Sequence, residues 1–294
     1  MKITGFRIKN AYQPNLPDED DYSWIRVKGG VVACVADGIT RDPKNFPVDL
    51  SLLPNHNSPE FKNFIKQYPR PSPAFIAAEL FVKTTLKFLK SKKLTFQNIL
   101  RAIDTANKRI KKWNANHINH PNYKDKDLAG CVAILAFLDG KKLRFFYNSD
   151  CGLAIFDEKN KLNYLTPDLM KQKEKFISPY GKLEWNNPQV RARVRKEFRN
   201  KLRFIDNICT SYGAFTGEKE ALSKNLLKRM ELGLKKGNTI ILFSDGARSY
   251  FDNAISKEAS GRVLSTKGIK GLKKYLSSGK YGKRERTILA IKLE

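Results

Sequence analysis

Two Asp-Gly pairs are the residues of this chain best suited to chemistry. Asp37-Gly38 and Asp245-Gly246 each follow a predominantly apolar run, which is typical of a buried strand. A carboxylate at the end of a rigid strand, followed by a residue without a side chain, suits a hard divalent cation, because the aspartate oxygens and a close glycine carbonyl can both bind it. If buried strands deliver the two carboxylates to one place, the sequence predicts a metal site.

The alternative for either pair is an ordinary turn. Asp-Gly is a common dipeptide of tight hairpin turns, and a third copy, Asp139-Gly140, lies between two apolar runs where a hairpin is expected. One such pair is a weak motif on its own. The metal interpretation therefore depends on where the surrounding elements place Asp37 and Asp245.

Apolar runs on either side of short turn sequences predict three hairpins. The paired runs are residues 23–27 with 31–36, 131–138 with 143–147, and 153–156 with 162–165. Apolar residues at helical spacing predict helices over 74–89, 96–113, 218–230 and 269–276. The last two helices lead to strands over 239–244 and 287–293. This order of elements describes an α+β layered domain rather than a doubly wound sheet.

Length and composition indicate a globular protein. The chain has 294 residues, of which 41% are hydrophobic, so it can bury a substantial core. No break in composition divides it, which favours a single domain over residues 1–294. No apolar run approaches the roughly 18 residues of a membrane-spanning helix, and no secretory signal is recognisable, so we expect a cytoplasmic protein without a membrane partner. The glycine-rich phosphate loops GxxxxGK[ST] and GxGxxG do not occur.

The chain is strongly basic, with 56 Lys and Arg against 29 Asp and Glu and a net charge of +27. Such a balance attracts nucleic acid, acidic proteins or phosphorylated substrates through its long-range potential, and it does not choose among them. Most lysines are spread along the chain, as on a solvated surface, and the dense stretch 182–203 has few aromatic residues for stacking bases. A nucleic-acid partner is therefore an open hypothesis that the sequence does not favour.

Cysteine and histidine chemistry is not indicated. The four cysteines lack CxxC spacing, and three of them lie in apolar surroundings, as reduced core thiols do. The three histidines have no cysteine or carboxylate partner at the spacing of a zinc site. These residues give no second candidate site.

Six short motifs, taken in chain order, resemble the metal-dependent PP2C (PPM) protein phosphatases, and the resemblance covers nearly the whole chain. The motifs are Glu19-Asp20, Val35-Ala36-Asp37-Gly38, Ala129-Gly130-Cys131-Val132-Ala133, Asn148-Ser149-Asp150-Cys151-Gly152, Ile241-Leu242-Phe243-Ser244-Asp245-Gly246 and Arg286-Thr287-Ile288-Leu289-Ala290. The segment 211–218 is similar to one that many bacterial members carry before the last Asp-Gly motif. The family fold is a four-layer α-β-β-α sandwich of two antiparallel sheets flanked by helix pairs, which agrees with the elements predicted above.

The resemblance implies a binuclear Mg²⁺ or Mn²⁺ centre. In that centre Asp37 bridges both ions, the Gly38 carbonyl binds one ion and Asp245 binds the other, while Asp20, or Glu19 beside it, holds metal-bound waters. Two close cations lower the pKa of a bridging water and neutralise the phosphoryl oxygens during in-line attack. Hydrolysis then needs no covalent enzyme intermediate.

One ligand of the family is missing from this chain. Where the resemblance places a metal-binding aspartate, three residues before Thr287, the sequence has Arg284, and a guanidinium cannot bind a cation. Glu285 could replace it, although an adjacent strand residue normally points to the opposite face unless a bulge intervenes. Alternatively, Arg284 could bind phosphate through two hydrogen bonds or stand in for a metal ion. Ser149 also replaces a family glycine, which affects backbone geometry only.

Three further family features have weaker counterparts. Asp150 would help to bind a third, weaker ion, and the alternative is an aspartate that caps a turn. Asn15 stands where the family has a phosphate-binding arginine, so the candidates are Arg7 and Lys9, with solvated strand cations as the alternative. The segment 171–205 lies where the family carries a variable flap, and its basic residues would concentrate phosphorylated or acidic targets there.

The resemblance therefore implies a protein phosphatase acting on phosphoserine and phosphothreonine, with Asp37 and Asp245 as its catalytic metal ligands. The alternative is a catalytically impaired PP2C-like module that binds phosphoproteins, because Arg284 replaces a ligand. A nucleic-acid-binding protein is the third hypothesis.

Overall fold

Twelve strands and five α-helices make up the residues that the computed structural model describes, which are 1–9, 17–39, 66, 68–123, 126–171, 173, 176, 188–278 and 284–294. The strands are β1 Lys2–Ile8, β2 Asp21–Val27, β3 Gly30–Gly38, β4 Cys131–Asp139, β5 Lys142–Tyr147, β6 Gly152–Phe156, β7 Leu162–Leu165, β8 Phe204–Ile205, β9 Ile208–Cys209, β10 Lys228–Gly233, β11 Thr239–Phe243 and β12 Arg286–Lys292. The helices are α1 Pro73–Leu89, α2 Phe96–His117, α3 Pro188–Phe198, α4 Asp245–Asp252 and α5 Ala254–Ser277.

Two antiparallel sheets of five strands each face one another. The first sheet has the order β10-β5-β4-β3-β2 and the second has the order β1-β12-β11-β6-β7. Helices α1 and α2 cover the outer face of the first sheet, and α4 and α5 cover the outer face of the second. The predicted α+β class and the four-layer α-β-β-α sandwich are therefore confirmed.

The alternation of side chains along β3 explains why its sequence is apolar throughout. Val32, Cys34 and Ala36 pack outward beneath α1 and α2. Val31, Ala33 and Val35 pack inward against the second sheet. Because both faces are buried, polar residues are excluded until the strand ends at Asp37-Gly38. The same alternation directs Asp37 into the sandwich interior.

Local signals fix the ends of the helices. Ser72 caps α1 by accepting a hydrogen bond from the Phe75 amide at 3.1 Å, and Thr95 caps α2 through the Asn98 amide at 3.2 Å. These helices fit the predictions over 74–89 and 96–113. The three predicted hairpins are confirmed as well.

The prediction of a helix over 218–230 is wrong. These residues form a 3-10 turn at Lys219–Leu222 and the start of β10, which pairs with β5 from Lys228↔Tyr147 to Gly233↔Lys142. Pairing along the edge of a sheet satisfies the backbone there, so tertiary contacts override a local apolar spacing that also suits a helix. The predicted helix 269–276 is the second half of α5, after a kink at Gly268, where φ is 61°.

The basic segment predicted as a flap is held down by buried ion pairs. The Arg199 guanidinium, on the residue after α3, donates to both carboxylate oxygens of Asp127 at 2.9 and 2.6 Å, and Arg195 lies 3.2 Å from the same carboxylate. These two cations are buried rather than offered to a partner. The boundaries 171–205 for a flap and 1–294 for one domain stay predictions. Within the described residues, no helix is long and apolar enough to cross a membrane.

Asn114 of α2 ties the helix layer to the segment that enters β4. Its side-chain amide donates to the carbonyls of Ala129 and Thr216 at 2.8 and 2.9 Å, and its carbonyl accepts from the Ala129 amide at 2.9 Å. All of these groups are buried, so removing the side chain leaves three backbone groups without partners.

We expect Asn114→Ala to lower the free energy of unfolding by about 2–3 kcal/mol, since each unsatisfied buried group is destabilising. Asn116, in the same turn of α2, is exposed and provides the matched control. Asn116→Ala should change stability by less than about 0.5 kcal/mol. Urea titration followed by circular dichroism measures both, and equal losses for the two variants would contradict the assignment.

Candidate metal centre

The first Asp-Gly pair lies at the end of β3, beside the start of α1 and the residues that precede β2. The Gly38 amide donates to the Glu19 carbonyl at 3.2 Å. A Cβ at position 38 would lie 2.7 Å from both the Glu19 and the Ala74 carbonyl oxygens, so only glycine fits. Asp37 itself remains partly accessible to solvent. The sequence thus places a carboxylate at the mouth of a tightly packed strand end.

The second pair lies where β11 ends and α4 begins. Asp245 is the first residue of α4, where a negative charge is favourable beside the helix N-terminus. A Cβ at Gly246 would lie 1.9 Å from the Glu285 carbonyl oxygen, so glycine is required here as well. The Ser244 hydroxyl accepts from the Thr287 amide at 3.0 Å and fixes the end of β11 to β12.

The carboxylates of the two sheets come close enough to act on one another. Burial raises the pKa of Asp37 well above its usual value, and the negative charges of Asp20, Asp245, Asp150 and Glu285 raise it further. Strands β3 and β11 also contact each other across the sandwich interior. The two Asp-Gly motifs therefore lie at ends of contacting strands, where their carboxylates act on one another electrostatically.

Asp20 is the most constrained of these carboxylates. It is buried, and its Oδ2 atom has no hydrogen-bond partner among the described residues. Burial, together with the charge of Asp245, raises the pKa of Asp20 to about 6, while hydrogen bonding with Ser244 acts in the opposite direction. A buried carboxylate oxygen without a partner is unfavourable, so this atom is suited to accept a hydrogen bond from a bound water.

Asp150 follows β5 and approaches the site from the second hairpin. Burial and the charges of Asp245 and Asp168 raise the pKa of Asp150 to about 7. Its neighbour Ser149 has a φ of 56°, a left-handed conformation that glycine adopts more easily. The replacement of the family glycine by Ser149 therefore leaves this turn intact.

The donor set fits a hard divalent cation. Every side chain named here offers oxygen, and Mg²⁺ in particular uses one or two carboxylates while keeping several waters. No three Asp, Glu, His or Cys side chains of the described residues converge closely enough to hold an ion by themselves. Any ion would therefore be held by few carboxylates, with waters or backbone carbonyls completing its coordination.

Two other acidic residues near the site are engaged with protein groups. The Tyr68 hydroxyl donates to Glu19 at 2.6 Å. Both carboxylate oxygens of Glu285 accept from the Glu19 amide, at 3.1 and 2.9 Å, and one of them also accepts from the Asp20 amide at 3.1 Å. Glu285 thus points into the interior, as the alternation from Thr287 requires, and it positions the segment that carries Asp20. Its replacement of the missing ligand stays a prediction.

Arg284 faces the site on its solvent side. Its Nη1 atom donates to Oδ2 of Asp245 at 3.2 Å, and its side chain is 72% exposed. A guanidinium therefore occupies one oxygen of a predicted metal ligand. Whether Arg284 stands in for a metal ion or binds phosphate stays a prediction.

The predicted phosphate-binding residues are less central. The Arg7 guanidinium forms an ion pair with Asp21 and lies 5.5 Å from the Tyr22 ring centre and 5.7 Å from that of Phe75. Lys9 follows β1 and is exposed. Their role in phosphate binding stays a prediction.

Three cations in the described part of the basic segment form ion pairs. Arg193 and Arg203 both pair with Glu197, at 3.0 and 3.1 Å, and Lys201 lies 3.3 Å from Glu218. Residues 177–187, which include the start of the dense stretch, lie outside the described residues, as does Asn15.

Comparison with solved structures gives whole-chain matches. A serine/threonine phosphatase of Mycobacterium tuberculosis, PstP/Ppp, is 13% identical, with a TM-score of 0.60 over 100% of this chain and 98% of that one. The serine/threonine phosphatase of S. agalactiae is 14% identical, with a TM-score of 0.61 over 100% and 99%. The chain has the PP2C-like fold.

The catalytic domain of PstP in complex with two manganese ions matches as well, at 13% identity and a TM-score of 0.58, over 98% of this chain and 96% of that one. No family model and no curated protein matches this sequence.

The sequence did not reveal the residues that hold the proposed site residues in place by hydrogen bonds. Ser244 and Thr287 were seen as parts of motifs, without their hydrogen bond. Tyr68 carries no motif, and only the structure connects it with Glu19. Arg248 could have been found from its place three residues after Asp245, had a helix been predicted to follow that residue.

The shifted pKa of Asp150 predicts a pH-dependent stability. The folded pKa of about 7 exceeds the unfolded value of about 3.9, so the folded state binds this proton more tightly. This contribution is complete below about pH 4 and is lost as the pH rises through about 7. We expect Asp150→Asn to reduce the decline in unfolding free energy over this range in metal-free protein.

Urea titrations with EDTA between about pH 4.5 and 7.5 cover that window and measure the decline. The exposed Asp139 of the third Asp-Gly pair is the control, and Asp139→Asn should leave the pH dependence as in the parent. An unchanged slope in Asp150→Asn would contradict the predicted shift.

Proposed function

We propose that the protein is a metal-dependent phosphatase of phosphoserine and phosphothreonine in proteins. The observation that supports this proposal is the electrostatic coupling of Asp37 and Asp245, at the ends of strands in opposite sheets, with each other and with Asp20 and Asp150. The serine/threonine phosphatases that share the fold support it. A cytoplasmic location and a phosphoprotein partner belong to the same proposal.

The residues divide the work according to their surroundings. Asp37 and Asp245 would hold Mg²⁺ or Mn²⁺ with the Gly38 carbonyl, and Asp150 would contribute to a further ion. Ions bound there would lower the pKa of a water and neutralise phosphoryl oxygens. Asp20, buried and with one oxygen unpaired among the described residues, would orient water and accept its hydrogen bond. The Glu285 carboxylate would keep the Asp20 backbone in place.

Loss of activity in Asp37→Asn tests the proposal. We expect wild-type protein with Mn²⁺ to hydrolyse p-nitrophenyl phosphate and a phosphothreonine peptide. Since metal ions supply several kcal/mol of charge stabilisation, Asp37→Asn should lower the rate at least about a hundredfold. Asp139→Asn, the change at the exposed Asp-Gly turn, should retain the wild-type rate. Equal activity in wild type and Asp37→Asn would contradict the proposal.

A phosphoprotein-binding module with impaired turnover is the second candidate function. It is favoured by one observation, the hydrogen bond from Arg284 to Asp245. The guanidinium competes with any cation for that oxygen, and its exposure on the solvent side of the site leaves it accessible to a phosphate group. A phosphopeptide would then bind without rapid hydrolysis.

Removing the Arg284 guanidinium measures how strongly it competes with cations for Asp245. An exposed ion pair contributes at most about 1 kcal/mol, so Arg284→Ala should tighten Mn²⁺ binding by up to about fivefold. Arg284→Lys keeps the charge and should bind Mn²⁺ nearly as wild type does. Isothermal titration calorimetry measures the dissociation constants. Weaker Mn²⁺ binding in Arg284→Ala would show that Arg284 supports the site instead of competing with cations.

A further inference from the structure

Arg248 is a buried cation that contacts the backbone of the acidic site. It lies on α4, three residues after Asp245, and only 5% of it is exposed. Its Nε and Nη2 atoms donate to the Asp150 carbonyl oxygen at 3.2 and 3.0 Å, and its Nη1 atom donates to the Thr166 carbonyl oxygen at 3.0 Å. One side chain therefore joins α4 to the turn before β6 and to the segment after β7.

The surroundings leave the guanidinium little freedom. It lies 5.3 Å from the centre of the Phe243 ring, and carboxylates of Asp168 and Asp252 lie 3.7 Å away. These two charges partly neutralise a buried cation, which would otherwise be costly to desolvate. Its hydrogen bonds are made by the planar fork, which a lysine cannot reproduce.

Gly152 shows how tightly this contact is packed. A Cβ there would lie 2.6 Å from Nη2 of Arg248, from the Phe243 ring and from the Thr166 hydroxyl. The chain between Ser149, with its left-handed φ of 56°, and Gly152 is therefore held against Arg248 with no room for rearrangement.

We propose that Arg248 is a positioning residue, which fixes the backbone of Asp150 relative to Asp245. Both aspartates are then set by one rigid element, because Asp245 begins α4 and Arg248 projects from its next turn. The consequence for metal binding rests on the phosphatase function proposed above. The fixing of the Asp150 turn does not, so the two can fail separately.

Cys151 gives a readout of that turn that needs no metal. Its thiol is fully buried between Asp150 and Gly152, and Cys34 is equally buried on the other face of the first sheet. Release of the turn should expose Cys151 alone, whereas a general loss of stability should expose both thiols together.

The experiment compares Arg248→Gln and Arg248→Lys with wild type. Iodoacetamide alkylation of EDTA-treated protein is followed by mass spectrometry, which resolves the two cysteines. We expect Cys151 to react at least about fivefold faster in Arg248→Gln, with Cys34 unchanged, because opening of the turn is now local. Arg248→Lys should also accelerate Cys151, since one ammonium cannot hold both carbonyls. Arg144→Gln, which removes a half-buried arginine stacked on Phe96 and Phe137, is the control. It should leave the alkylation rates of Cys151 and Cys34 as in wild type.

Mn²⁺ titration monitored by electron paramagnetic resonance then measures the metal consequence. Loss of a residue that orients a ligand typically weakens metal binding by about 10- to 100-fold, and we expect such a loss for the most weakly held Mn²⁺ in Arg248→Gln. Equal alkylation rates for Cys151 in wild type and Arg248→Gln, or parallel acceleration of Cys34, would overturn the positioning role. If Cys151 is accelerated selectively in Arg248→Gln and the wild-type protein binds no Mn²⁺, the positioning role is supported and the phosphatase function is refuted.

Discussion

Electrostatic repulsion among neighbouring carboxylates is the constraint on which the rest of this structure depends. The sandwich brings Asp20, Asp37, Asp150 and Asp245 to one end, where desolvation and, in addition, neighbouring negative charges raise the pKa values of Asp20, Asp37 and Asp150. Such a gathering destabilises the fold unless protons or cations neutralise it. The glycines at 38 and 246 allow the backbones to approach closely at this end of the sandwich.

The architecture was largely predictable because its central strands are buried on both faces. In β3 and β11 apolar residues continue to the strand end, and the change to Asp-Gly marks where the interior opens. Hairpins and the first two helices follow from local spacing and caps. The helix over 218–230 could not be corrected from sequence, because its residues pair with β5, which lies some eighty positions earlier in the chain.

The central residues proposed for the site follow from sequence motifs, whereas their long-range contacts do not. Asp37 and Asp245 belong to motifs with a local backbone cause, which is why a strand end identifies them. Glu285 was considered as a ligand, whereas its oxygens accept backbone amides from a segment more than 260 residues away. Hydrogen bonds over such separations leave no mark in a single sequence. The same holds for the Asp127 carboxylate, which neutralises two arginines of the basic segment.

Arg284 gives the site an unusual dependence on its surroundings. Its pairing with Asp245 is open to water, so mobile ions screen it over a Debye length of about 8 Å at physiological ionic strength. A divalent ion bound between the sheets, as proposed above, would be screened much less. Rising salt would therefore loosen the guanidinium sooner than such an ion, and the ionic strength of the medium would decide which of the two holds Asp245.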